Sequence, residues 1–311
     1  MVYVIILNWN GAADTIACLD SLKRLRKTAL KVVVCDNKSR DDSWSRLKRY
    51  VFMSNELDIQ LIQTGDNLGF AGGNNVGLRI ALADPMMKYT WLLNNDTEVN
   101  IDALKALLDY MAVHPEVGMC GSTLLYADDP NQIQAVGGKY NPWLGSSQHL
   151  LGHKPYSRFL VHSFNQHEID YVVGASLFVR RSVLETVGLM SEDYFLYYEE
   201  IDWATRMKRL MPEVKVGFAP DSLVHHKEGA STQVNERLSK TYRYSSDYFF
   251  ITSRLKFSRK YFPLHSIVVQ LSMLLVTLNR LRRGQLKSAG VALCCFCGFV
   301  PVWMDPRRKV E

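Results

Sequence analysis

The feature that most constrains this chain is a series of short apolar runs, each closed by a polar residue and separated from the next by a helical pattern. VYVIILN (2–8), KVVVCD (31–36), DIQLIQ (58–63), YTWLLN (89–94) and VGMCGS (117–122) read as buried strands. Residues 13–26, 42–54, 73–83 and 101–113 read as helices, and NIDALKALLDYMAVHPE (100–116) adds an early acid and a closing His-Pro. Such alternation predicts an α/β class, with a mostly parallel sheet and helices on both faces.

Residues 124–168 break this rhythm with DDPNQ, GGKYNPWLG and weak periodicity, and read as a long excursion near a binding face. DYVVGASLFVRR (170–181) predicts a strand pair, 199–210 a helix, 214–218 a short strand and 236–261 a long helix. At 47% hydrophobic and 22% charged, the chain is composed like a folded protein and not a disordered one. The N-terminus runs straight into strand pattern, so no signal peptide is expected. Cys18, Cys35 and Cys120 lie in apolar contexts, and the Cys294, Cys295, Cys297 cluster has no second cluster at metal-site spacing. A reduced, cytosol-facing protein is expected.

Ligands of open α/β sheets bind beyond the carboxyl ends of the strands. Here those ends read NWNG (8–11), DNKSRDDS (36–43), TGDNLGFAGGNN (64–75) and NNDTEV (94–99). Turn chemistry explains any one of them; together they favour a nucleotide-shaped pocket. GFAGGNNVG (69–77) follows the third predicted strand and not the first, which argues against a dinucleotide fingerprint. Asp96 stands just beyond a buried strand, where a carboxylate can hold Mg²⁺ or Mn²⁺ against a diphosphate. Asn100 and Asp102 are better placed to cap the next helix. His226, in HHKEGAST (225–232), could ligate the same metal or donate to a phosphate oxygen. YYEEIDW (197–203) packs Glu199, Glu200 and Asp202 among aromatic residues. An acidic first helical turn accounts for Asp202 but not for the aromatic frame.

NWNG, DNKSRDDS, NLGFAGGNN, LLNNDTEV, GASLFVRRSVLETVG, FLYYEEIDW and HHKEGAS occur in the order that resembles glycosyltransferase family 2, over about residues 2–262. They look most like its bacterial rhamnosyltransferase-type branch. The resemblance implies a GT-A fold and inverting transfer from a nucleotide-diphospho-sugar, dTDP- or UDP-linked, with rhamnose from dTDP-rhamnose as the expected donor sugar. It implies that Asp36 recognises the base with Asn8 nearby, and that Asn67, Gly72 and Asn74 line the nucleotide side. It places Asn95 and Asp96 on the donor and metal, His226 near the diphosphate, and Glu200 as catalytic base, with Glu199 and Asp202 as secondary candidates. Two departures stand out: the metal motif is NND, with one carboxylate, and the base position holds Glu where Asp is usual. Two other readings are a nucleotide-sugar-binding scaffold without activity and a nucleotidyltransferase. The second lacks a Gly-rich basic loop after its first strand.

The C-terminal stretch differs in character. Residues 254–311 hold 11 Lys/Arg and 2 Asp/Glu, a charge of +9 within a chain of +6. PLHSIVVQLSMLLVTL (263–278) and AGVALCCFCGFVPVWM (289–304) are each shorter than the roughly 20 apolar residues that span a bilayer. The expectation is a catalytic domain over 1–235 and a helical region over 236–311 lying on an anionic membrane. That predicts a peripheral protein on the cytoplasmic face of the inner membrane, no nucleic-acid partner, and a polyprenyl-diphosphate-linked saccharide as acceptor.

Overall fold

A computed structural model of the chain describes residues 1–25, 29–227 and 236–309. The elements are β1 (Val2–Asn8), α1 (Ala12–Lys23), β2 (Leu30–Asp36), α2 (Ser43–Met53), β3 (Ile59–Gln63), α3 (Gly69–Ala83), β4 (Tyr89–Asn94), β5 (Thr97–Val99), α4 (Ala103–Val113) and β6 (Val117–Tyr126). They continue with β7 (Ile133–Ala135), β8 (Gly138–Asn141), β9 (Ser146–His149), α5 (Arg158–His162), β10 (Ser176–Arg180), α6 (Arg181–Val187), α7 (Glu199–Leu210) and β11 (Lys215–His226). Last come α8 (Glu236–Tyr261), α9 (Pro263–Arg282) and α10 (Leu286–Phe296).

Two compact units divide these elements. The first comprises Met1–Lys139, Gln148–Glu192 and Glu199–Ala230; the second comprises Tyr140–Ser147, Asp193–Tyr198 and Ser231–Glu311. Two short segments thus join the second unit from within the first 235 residues.

The first unit is built on a sheet of order β3-β2-β1-β4-β10-β6-β11-β5, with β7 on β6. β3, β2, β1 and β4 are parallel, and their register aligns Asn8 with Asp36 and Leu7 with Asn94. The polar strand ends therefore lie side by side at one edge. β10 enters antiparallel between β4 and β6. Alternate β1 residues serve the two faces. Val4 and Ile6 join Leu19 and Leu22 of α1 and Leu104 and Leu107 of α4 in the main core. Ile5 and Leu7 face α3.

Several expectations change. The glycine-rich stretch is helical: α3 starts at Gly69, not at 73. A Cβ at Gly73 would lie 2.3 Å from Leu7 Cδ1, and one at Gly77 2.6 Å from Ile5 Cγ2. Close approach of α3 to β1 is what these glycines permit. Residues 170–181 supply one strand, β10, and not a pair, because 170–175 make only the isolated bridge of Tyr171 to Gly138. The strand expected at 214–218 runs on to His226, past a register shift between Ala219 and Leu223 that absorbs Pro220. The excursion over 124–168 holds β7, β8, β9 and α5, and α1 ends at Lys23. The 236–261 helix is found as expected.

The second unit has a helical core of Phe249, Ile251, Leu255, Val269, Met273, Val291, Ala292 and Cys295.

Gly77→Val should destabilise the protein by about 1–3 kcal/mol, the cost of overpacking a close contact. Chemical denaturation measures it, and an unchanged midpoint would show that the α3–β1 approach is slack.

Candidate active site

The carboxyl edge of β1 and β2 carries buried polar groups that satisfy one another. Asn8 and Asp36 are fully buried. Asn8 Nδ2 donates to Asp36 Oδ2 at 2.8 Å and to Ser39 Oγ at 3.1 Å, while its Oδ1 accepts from Thr15 Oγ1 at 2.7 Å. Asp36 also accepts from Ser39 N at 3.1 Å and from Ser39 Oγ at 2.6 Å. Asn37 extends this network to the next loop. Its Nδ2 donates to Asn67 Oδ1 at 3.0 Å and to Gly69 O at 3.1 Å, and its Oδ1 accepts from Leu68 N at 3.0 Å. Asn67 thereby ties two loops together at the start of α3. Asn74 and Gly72 lie within α3: Asn74 Nδ2 donates to Phe70 O at 3.0 Å, and a Cβ at Gly72 would sit 2.7 Å from Leu68 Cβ.

At the end of β4, Asn95 Nδ2 reaches Gly11 O and Thr15 Oγ1, both at 3.3 Å, which joins this loop to the β1–α1 loop. Asp96 is 7% exposed. His226, at the end of β11, places Nε2 3.2 Å from Asp96 Oδ1 and 3.3 Å from Asn94 Nδ2. Its Nδ1 lies 2.8 Å from Gln134 Oε1. An acceptor there keeps the proton on Nδ1 and turns the Nε2 lone pair toward Asp96, the second-shell arrangement that orients a ligating imidazole. Asp102 occupies the N-cap position of α4 without a side-chain capping hydrogen bond, and Asn100 Oδ1 accepts from its backbone N at 3.2 Å. Lys227 follows, its backbone N donating to Asp96 O at 3.0 Å and its Nζ on Asp14 at 3.0 Å. The rest of HHKEGAST, residues 228–232, lies outside the described residues.

A carboxylate oxygen beside an imidazole nitrogen is a fitting donor set for a divalent cation. Among the described residues, no group of three or more His, Cys, Asp or Glu side chains gathers as a metal site. Diphosphate oxygens and water would have to complete the shell, as is usual for Mg²⁺.

The three acids of α7 differ sharply. Asp202 is fully buried, and Arg206 Nε donates to its Oδ1 at 2.7 Å while the rest of that guanidinium holds the carbonyls of Val187 and Leu189. Its setting is structural. Glu199 is 1% exposed, and its Oε1 accepts no hydrogen bond among the described residues. Burial, then the charges of Glu200 and Asp202, push its carboxyl well above the usual range. Glu200 is partly exposed at its surface, and burial raises its carboxyl to about 6.

The aromatic frame expected around these acids divides. Trp203 is buried in the first unit, its Nε1 donating to Gly188 O at 2.9 Å. Tyr197 instead meets Phe250 edge-on, and Tyr198 meets Phe250 and Phe257 at tilted angles, within the second unit. Phe70 takes a place the sequence did not indicate: a Cβ on Gly174 would lie 3.3 Å from the Phe70 ring and 3.9 Å from Glu200 Oε1.

Gly174 also fixes where Glu200 lies in the sheet. The next residue, Ala175, accepts from Asn94 N at 3.1 Å. Glu200, Gly174, Ala175, Asn94, His226 and Asp96 thus follow one another along one rim. Asn37, Gln134, Phe70 and Gly174 are the members that sequence reasoning missed. Asn37, Phe70 and Gly174 stood inside quoted motifs, whereas Gln134 carried no distinguishing signal.

The family model for glycosyl transferase family 2 matches residues 3–188. The low-salt glycan biosynthesis hexosyltransferase Agl10 of Haloferax volcanii is 26% identical over 66% of this chain, and the match spans 61% of that protein. The N-acetylglucosaminyl-diphospho-decaprenol L-rhamnosyltransferase of Mycobacterium tuberculosis is 25% identical over 76% of this chain and 79% of its own length. The dTDP-rhamnosyl transferase RfbF of Shigella flexneri is 21% identical over 69% of this chain and 68% of its own. In fold, the chain is similar to the mannosyltransferase PcManGT from Pyrobaculum calidifontis, solved with GDP-Man and Mn²⁺. That likeness has a TM-score of 0.56 at 16% identity and covers 99% of this chain and 78% of that one. The fold is that of the GT-A glycosyltransferases.

A carboxyl whose pKa is higher folded than unfolded takes up protons on folding. Its contribution is most favourable below the unfolded value near 4.5 and is lost as pH rises through the folded value. Glu199→Gln should therefore raise the Tm at pH 8, with the gain vanishing by pH 4. A loss of Tm at pH 8 equal to that at pH 4 would show that no ionisation penalty resides there.

Proposed function

This chain belongs to glycosyltransferase family 2, and we propose that it is an inverting enzyme carrying a sugar from a nucleotide-diphospho-sugar to a hydroxyl of a lipid-linked saccharide. The observation that carries this reading is Glu200, a carboxyl raised to about 6 on the same rim as the Asp96–His226 pair. A base with a pKa near working pH is charged enough to accept a proton and basic enough to keep it. Glu200 takes the proton of the acceptor hydroxyl as that oxygen attacks the anomeric carbon. Its negative charge also suits the positive character that develops on the sugar ring. The buried Asn8–Asp36–Asn37 network holds the loops that would receive the nucleotide, with Asp36 on the base. Asp96 and His226 would hold Mg²⁺ or Mn²⁺, which when bound supplies positive charge to the departing diphosphate.

The donor we propose is dTDP-rhamnose, with a UDP-sugar as the alternative, and the acceptor a saccharide on a polyprenyl diphosphate. Similarity to proteins named for L-rhamnosyl transfer to a diphospho-decaprenol and for dTDP-rhamnosyl transfer supports this choice. The process would be cell-surface polysaccharide synthesis. An acceptor of that kind calls for a peripheral protein at the cytoplasmic face of the membrane.

Glu200→Gln should retain donor affinity and lower turnover by about 10²–10⁴-fold, the usual worth of a positioned base. Turnover close to wild type would move the role to Glu199. Asp96→Ala should weaken donor binding in the presence of Mg²⁺ or Mn²⁺ and leave EDTA-treated binding unchanged, as read by calorimetry. Equal weakening under both conditions would make Asp96 a structural residue.

A further inference from the structure

α9 is turned inside out relative to a helix on a water-facing surface. Val269, Met273 and Thr277 are buried, the first two in the core with α8 and α10. The opposite face presents Leu264, Ile267, Leu271, Leu274, Leu275 and Leu278, exposed between 43% and 81%. Spacings of three and four residues place these leucines and isoleucine in one stripe along the helix. A stripe of this length on a water-facing helix is normally polar, and one that is not marks an interaction surface.

The stripe continues onto a second element of the same unit. Trp143 and Leu144, at the β8–β9 turn, are 61% and 51% exposed. The Trp143 ring stands edge-on to His265 in the first turn of α9, with centroids 4.3 Å apart. Arg254 of α8 clamps the turn, its Nε donating to Leu144 O at 3.0 Å and its Nη2 to Ser272 Oγ of α9 at 2.8 Å. Gly145, at φ +59°, brings the turn so close that a Cβ would lie 3.0 Å from Val269. An exposed tryptophan held rigidly at the end of an apolar helix has the amphipathic ring that favours a membrane interface.

We propose that the outer face of α9 and the Trp143–Leu144 tip together dock on an anionic lipid monolayer. Charge selects this occupant over a second copy of the chain. Arg282, Arg283 and Lys287 are exposed where α9 gives way to α10, and Lys256, Arg259 and Lys260 are exposed near the α8–α9 junction. Apolar stripes bounded by cations meet lipid acyl chains and anionic head groups together. They repel an identical surface. Packing also decides the depth. α9 has 20 residues, about 30 Å of helix, enough to cross a bilayer. Its inner side, however, is committed to α8, whose cations would then enter hydrocarbon. The helix therefore lies in the plane of the interface with its outer face immersed.

This inference deepens the proposed use of a lipid-linked acceptor, and vesicles that contain no acceptor test it separately. Full-length protein should co-sediment with phosphatidylglycerol vesicles at low salt and less with phosphatidylcholine vesicles. The double variant Leu271→Glu/Leu275→Glu should bind at least tenfold more weakly, and Trp143→Ala should show a smaller loss. Circular dichroism and Tm should be unchanged, because these side chains face outward, and so should donor hydrolysis. Vesicle binding that survives Leu271→Glu/Leu275→Glu overturns the proposal. So does a wild-type dimer that ignores vesicles and is split by that variant. If vesicles bind as expected but no lipid-linked saccharide is glycosylated, the surface stands and the acceptor assignment fails.

Discussion

Dry carboxylates at the carboxyl edge of the sheet are the constraint on which the rest of this site depends. A charge removed from water must be paired, hydrogen-bonded or neutralised. The chain meets this requirement differently at each acid. Asp36 is enclosed by Asn8 and Ser39, and Asp202 is paired with Arg206. Glu199 Oε1 accepts no hydrogen bond among the described residues, and burial makes both Glu199 and Glu200 hold their protons more tightly. Unpaired buried polar groups cost about 1–3 kcal/mol and more if charged. Folding must offset that cost elsewhere, and α7 itself buries Trp203 and Met207 completely.

Strain enters at the same place. Tyr197 and Tyr198 adopt φ of 69° and 76°, a left-handed conformation that bulky residues avoid. Such residues cost about 1–3 kcal/mol each and persist only where their surroundings over-determine them. The Tyr198 hydroxyl donates to Gly145 O at 2.6 Å and its ring meets Phe257, while the Tyr197 hydroxyl meets Ser246. Both contacts lie within the second unit, and they hold Tyr197 and Tyr198 in this conformation.

Much of the fold was legible because strand burial and helix periodicity are local signals. β1, β2, β3 and β4 fall where their apolar runs place them, and α4 ends at its His-Pro. What escaped depended on contacts distant in sequence. The glycines of α3 suggested a loop because glycine disfavours helices; proximity to Leu7 and Ile5 overrides that preference. The strand expected to end at 218 is carried past Pro220 to His226 by a register shift. In the site, polar residues at strand ends were readable one by one, but their partners were not. Nothing in Gln134 announces that it orients His226 across 92 residues of chain. The closeness of Gly174 to Phe70 and Glu200 becomes visible only once β10 is inserted beside β4. The aromatic residues around YYEEIDW were rightly seen as out of place in solvent. Two of them, Tyr197 and Tyr198, serve the second unit's packing.

The central claim is that Glu200 is a desolvated carboxyl poised to act as a base. Carbon-13 NMR of protein labelled at the glutamate carboxyl carbon, titrated from pH 3 to 9 and assigned by loss of one resonance in Glu200→Gln, measures this directly. The account predicts that the Glu200 resonance titrates near 6. A Glu200 resonance titrating at the ordinary value near 4.5 would contradict it, leaving a solvated acid on a helix end with no preparation for catalysis.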